Sequence, residues 1–67
     1  MDGETLRLRR LIEHWLEHNE EHRARLEEAA REASEKGLRA IAESLKGAAE
    51  EAAEVTKHLR RALDAFE

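Results

Sequence analysis

Apolar positions recur every three or four residues along almost the whole chain. In the first half the series is Leu8, Ile12, Trp15, Asn19, His22, Leu26, Ala29 and Ala33, reinforced by Leu11 and Ala30 and interrupted in polarity at Asn19 and His22. In the second half Leu38, Ile41, Leu45, Ala48, Ala52, Val55, Leu59, Ala62 and Phe66 keep the same rhythm. A helix completes a turn every 3.6 residues, so this rhythm describes two helices that each turn one face to a core. Asp2-Gly3 supplies the start, with Asp2 as N-cap and Glu4 in the first turn. Nothing breaks the helix until Gly37, which follows Glu35-Lys36 and suits the left-handed position beyond a helix end. The pattern predicts a helix over about 4–36, a turn at 37 and a helix over about 38–66, all in one domain, 1–67. Gly47 falls outside the stripe without resetting its phase, so it is expected on a solvent face of a continuous helix. A three-helix reading, with a break near Lys46-Gly47, is the alternative.

Two helices of nearly equal length joined by so short a turn make an antiparallel αα-hairpin, an all-α fold. Residues whose numbers sum to about 73 or 74 then lie opposite one another. Ala29, Ala30 and Ala33 on one side and Ala42, Ala48 and Ala49 on the other allow close approach near the turn. A hairpin has only one seam. Leu16, Ala24, Ala42, Ala49, Thr56 and Leu63 widen the apolar surface beyond it, and the expected assembly is a homodimer, most simply a four-helix bundle.

Composition narrows the function classes. A 67-residue chain is marginal as an isolated domain and often needs a metal, a disulfide or a partner subunit. There is no Cys, which removes disulfides, thiolate zinc sites and iron–sulfur clusters and fits a cytoplasmic protein. No apolar run is long enough to span a bilayer, and the acidic Met1-Asp2-Gly3-Glu4 does not resemble a secretory signal, so no membrane partner is expected. The net charge of −4 and 3% aromatic content argue against nucleic acid as a partner. Arg7, Arg9, Arg10, Lys57, Arg60 and Arg61 gather at the open end of the hairpin. They read as a solvated face with helical ion pairs such as Arg9/Glu13 and Arg60/Asp64.

The distinctive chemistry lies in His14-Trp15-Leu16-Glu17-His18-Asn19-Glu20-Glu21-His22, which holds three of the four histidines at i, i+4 and i+8. Imidazoles four apart share a helix face and can chelate one ion. His14 and His22 are about 12 Å apart along the axis, so all three do not close on a single ion. The workable arrangement is one pair, His14/His18 or His18/His22, completed from elsewhere. Val55 is opposite His18, Glu51 and Ala52 are opposite His22, and His58 and Leu59 lie near Trp15, so Glu51 or His58 is a candidate third ligand. A second chain or water completes the set. Nitrogen and oxygen ligands without sulfur suit Ni²⁺, Zn²⁺, Co²⁺ or Cu²⁺. Trp15 reads as a core anchor facing Leu59, and Asn19 as a hydrogen bond across the seam that fixes dimer register, the alternative being a hydrogen-bond partner for a ligand His. No enzyme is expected: there is no glycine-rich phosphate loop, Ser34 and Ser44 lie far from His14 and His18, and Glu17 and Glu21 stand out little among the many Glu residues.

The segment from Leu11 to His22 resembles a small prokaryotic helical domain with an H-W-x-x-H-N-x-x-H signature, and Gly37 with the Ala-rich stretch ending at Leu63 is similar to that family's second half. Similar segments occur beside small CooT-type nickel-binding proteins, so the resemblance implies nickel or cobalt handling, with His14, His18 and His22 as ligands. His58 does not belong to the signature. The expected function is therefore a small binder of nickel or a similar ion, acting in storage, delivery or sensing. The alternative is a structural dimerisation module whose histidines bind nothing.

Overall fold

Both helices form close to where the pattern places them. The structure, a computed structural model, describes residues 1–66, so residue 67 of the expected domain lies outside the described residues. Helix α1 spans Gly3–Glu35 and helix α2 spans Arg39–Asp64. The Asp2 side chain accepts from the Thr5 N–H at 2.7 Å, satisfying one of the donors left open at a helix start. That bond holds the Asp2 carboxyl below the usual carboxylate range. At the other end, the Leu38 N–H donates to the Ala33 carbonyl at 2.9 Å and the Gly37 N–H to the Ser34 carbonyl at 3.0 Å. This pair of bonds requires a left-handed residue between them, and Gly37 has φ 75°. The chain reverses within Lys36–Leu38, and the helices pack antiparallel into a rod with Cα extents of 53 × 14 × 11 Å.

Helix α2 passes through Gly47 without a break, which removes the three-helix alternative. A β-carbon built at Gly47 would meet nothing within 4 Å. Gly47→Ala should therefore stabilise the protein by about 1 kcal/mol through helix propensity alone. In a domain of this size that raises the thermal midpoint by about 4–8 °C in a circular-dichroism melt. An unchanged or lower midpoint would show that Gly47 serves a contact not visible in the single chain.

The seam differs from the expected one by a one-residue shift on both helices. Ile12, Asn19, Leu26 and Ala33 on α1, and Leu45, Ala52, Leu59 and Phe66 on α2, face the partner helix as the pattern predicts. Between them the structure inserts Leu16, Arg23 and Ala30 on α1, and Ala42, Ala49, Thr56 and Leu63 on α2. The expected Leu8, Trp15, His22, Ala29, Leu38, Ile41, Ala48 and Val55 are instead exposed. Trp15 is thus no core anchor: it is 49% exposed, alongside Leu8 at 48%, Ile41 at 52% and Val55 at 45%. The buried residues are small: Ala33, Ala49, Ala52 and Thr56. Small side chains let two backbones approach along a narrow line, and that line has no room for an indole.

The two sides of the seam differ in charge. One edge of α1 carries Glu13, Glu20 and Glu27, and the matching edge of α2 carries Arg39, Lys46 and Arg60. In an antiparallel helix pair these heptad-equivalent edges lie on the same side, so acid faces base across the hairpin. On the other side the equivalent positions are Leu8, Trp15, His22 and Ala29 of α1 and Ile41, Ala48, Val55 and Ala62 of α2. None is Asp, Glu, Lys or Arg.

Candidate metal site and the polar centre of the seam

Helix α1 presents all three signature histidines to solvent. Leu16 and Arg23 turn toward α2, and this rotates His14, His18 and His22 outward. The rings of His14 and His18 meet edge to face, with centroids 6.0 Å apart and planes at 71°. A ring bound through nitrogen sits with its centroid about 3 Å from the ion, so two rings sharing one ion stand about 4.5–5 Å apart. Closing the remaining gap of about 1 Å takes only small side-chain rotations of two exposed residues. Among the described residues, no hydrogen bond engages either ring.

His22 is exposed one turn further along α1, rather than on the seam. Glu51 and His58 are exposed on α2, and His58 lies near its own-helix neighbour Glu54, whose carboxyl it helps, after Lys57, to hold below the ordinary range. Among the described residues, no three His, Asp or Glu side chains gather as a metal-holding group. The chain therefore pairs His14 with His18 and leaves His22, Glu51 and His58 apart from them.

The polar interruption of the core is real, but its members are Asn19, Glu20, Arg23 and Thr56 rather than Asn19 and His22. The Asn19 side-chain amide donates to the Ala52 carbonyl at 2.7 Å and to the Thr56 hydroxyl at 2.9 Å. Thr56 in turn donates its proton to the Glu20 carboxylate. Arg23 grips the same carboxylate through Nε at 3.1 Å and a terminal nitrogen at 3.0 Å, and reaches Glu27 at 3.0 Å. Each polar group in this layer has a partner, as burial of polar atoms demands. The Arg23 hydrogen bond, then the Thr56 hydroxyl, hold the Glu20 carboxyl down to about 2. The expected cross-seam role of Asn19 is therefore present, and its contacts with Ala52 and Thr56 straddle the predicted opposition. Glu20, Arg23 and Thr56 were not legible as a unit. The available signal was a lone Thr in an Ala-rich run, set opposite an Asn.

The other ion pairs are exposed: Arg39–Glu43 at 3.6 Å and Lys57–Glu54 at 3.0 Å. They form at these positions rather than at the expected Arg9/Glu13 and Arg60/Asp64, and exposed pairs of this kind contribute little. A groove of about 920 Å³ runs near the turn, floored by Ala30, Ala42, Ala49 and Ala53 and rimmed by charges including Arg31 and Lys46. It lies on the charged side of the hairpin and exists because its floor is alanine. Among the described residues, no helix is long and apolar enough to cross a membrane.

Residues 8–66 match the family described as a domain of unknown function (DUF8180). An uncharacterized protein of Archaeoglobus fulgidus is 45% identical over 58 residues, which cover 87% of this chain and 92% of the relative. No solved structure matches the chain.

Proposed function

The chain belongs to the DUF8180 family, and we propose that it is a small binding protein, not an enzyme, that holds a divalent transition metal on α1 for storage, delivery or sensing. The observation that carries this reading is the His14/His18 pair, two exposed rings at 6.0 Å on successive turns of one rigid helix. Helix placement matters because it sets both rings before the ion arrives. Two protein nitrogens leave the remaining positions to water, to His22 in place of His14, or to a partner molecule that receives the ion. An open, partly hydrated site of this kind suits transfer better than permanent retention. Nickel is the first ion to test, with Zn²⁺, Co²⁺ and Cu²⁺ as competitors whose ranking follows ligand type only in part.

Calorimetric titration of metal-free, untagged protein with Ni²⁺ should give saturable binding. His18→Ala should weaken it at least tenfold, since it removes the residue shared by both possible pairs. Affinity should also fall on acidification, because a ligand imidazole must shed its proton. Absence of saturable binding near neutral pH, or an unchanged isotherm in His18→Ala, would reject the metal reading. The second reading, a structural self-association module, is favoured by a different observation: Leu8, Trp15, Ile41 and Val55 lie about half exposed on the surface of the hairpin.

A further inference from the structure

We infer that the uncharged face of the hairpin is covered by a second copy of this chain, packed with both turns at the same end to make a four-helix bundle. The face is defined by Leu8, Trp15, Ile41 and Val55, each about half exposed, with Leu11 beside them at 42%. Trp15 is the largest side chain of the protein, while the residues fully buried in the seam are three alanines and Thr56. Water is a poor place for the exposed side chains of this face, and burying half an aromatic and several aliphatic side chains is a substantial driving force.

The dimensions fit. The hairpin is 53 Å long, and two helices with side chains are about 20 Å wide, so one face offers about 1,000 Å². A stable interface needs about 800 Å² from each partner. Among the described residues no further element covers the face, since the two helices and their turn account for nearly all of them.

Charge selects both the occupant and its orientation. The outer flank of this face carries Glu4, Leu11, His18, Arg25 and Glu32 on α1 and Ser44, Glu51, His58 and Ala65 on α2. A two-fold axis along the rod lays α1 over the partner's α2 at the same height. Because opposed residues sum to about 73, Arg25 then stands within one turn of a partner Glu51, and Leu11 within one turn of a partner Ala65. A two-fold axis across the rod would instead lay each helix on its own copy. With that axis at the height of His18 and Val55, Arg25 stands against Leu11 and Glu51 beside His58, so the Arg25–Glu51 pairing is lost. Of the two closed arrangements, the one with the turns together is the one that brings these unlike charges to each other.

Sedimentation equilibrium in chelator-treated buffer tests the association separately from metal binding. The expected mass is twice the 7.7 kDa of one chain. Trp15→Glu should abolish the dimer, by giving a monomer or by unfolding. Ala40→Glu, at an exposed position away from this face, should leave the mass doubled. A second readout needs no variant: dilution should shift Trp15 fluorescence to the red as the indole returns to water. For orientation, a spin label at Lys36→Cys should report a separation under about 30 Å with turns together, against about 50 Å with turns apart. A monomeric mass at micromolar concentration, a dimer that survives Trp15→Glu, or fluorescence that ignores dilution would overturn the inference. A long label separation would overturn the orientation.

Discussion

Ala52→Leu should cost about 1–3 kcal/mol and shift the urea midpoint sharply downward. Ala52 is 8% exposed in the seam, outside the alanine-floored groove, and its carbonyl accepts from Asn19 of the facing helix. Three extra carbons there have no cavity to enter, so the helices must separate or the side chain must leave its rotamer. The loss is large in proportion, since a core of this size rarely supplies more than about 3–5 kcal/mol. The matched control is Ala40→Leu, an exposed position on the same helix, expected within about 0.5 kcal/mol of the parent. Both should be measured at one protein concentration, because association would make the midpoint concentration-dependent. Equal midpoints for the two variants would show that the seam is not packed as described.

The second large effect is on acid stability, through Glu20. Its carboxyl is held at about 2 in the folded chain, against an ordinary value of 4.5, first by the Arg23 hydrogen bond and then by Thr56. The unfolded chain therefore binds a proton that the folded chain refuses, and stability falls as pH drops. The contribution is complete above about 4.5 and is lost between there and about 2. Asp2 and Glu54 are shifted the same way by their own hydrogen bonds, so the wild-type slope is shared. Glu20→Gln isolates the central part: its stability should change less with pH across that window. Thr56→Val keeps the shape of the seam but removes both hydroxyl bonds. It should cost about 1–2 kcal/mol at neutral pH, the lower end for a charged acceptor because the Glu20 side chain remains 31% exposed. Parallel acid curves for the parent and Glu20→Gln would remove Glu20 from this account.

The polar layer has a consequence for pairing. Asn19 reaches Ala52 and Thr56, while Glu20 and Arg23 close the layer on the charged side. A slip of α2 by one turn would leave the Asn19 amide and the Thr56 hydroxyl without partners in a region shielded from water. The layer thus fixes the register of the hairpin, while the alanines on either side of it tolerate several registers. The histidines stand outside this arrangement. Their freedom from structural hydrogen bonds among the described residues leaves their ring nitrogens available to an ion.

The local signals were enough for both helices, the turn and the cap. Asp2 followed by Gly3, the missing prolines and Gly37 act through bonds between near neighbours, which the chain order already contains. The uninterrupted phase across Gly47 likewise carried the length of α2. The i, i+4 spacing placed His14 and His18 on adjacent turns, and the structure brings their rings edge to face. What the order of residues left open was which of two neighbouring stripes becomes the seam. On α1 both stripes contain Ile12, Asn19, Leu26 and Ala33. They differ in taking Trp15 and His22 or Leu16 and Arg23 between them. Both repeat at three and four, so periodicity cannot separate them, and hydropathy favours the wrong one because it rewards Trp15, Leu8 and Val55. Tertiary structure decides through terms that need both helices at once. Alanines on facing positions permit close approach, Asn19 and Thr56 satisfy each other across 37 residues of chain, and the acidic edge of α1 meets the basic edge of α2. Leu8, Trp15, Ile41 and Val55 are thereby left on the surface, where only a further packing surface can bury them.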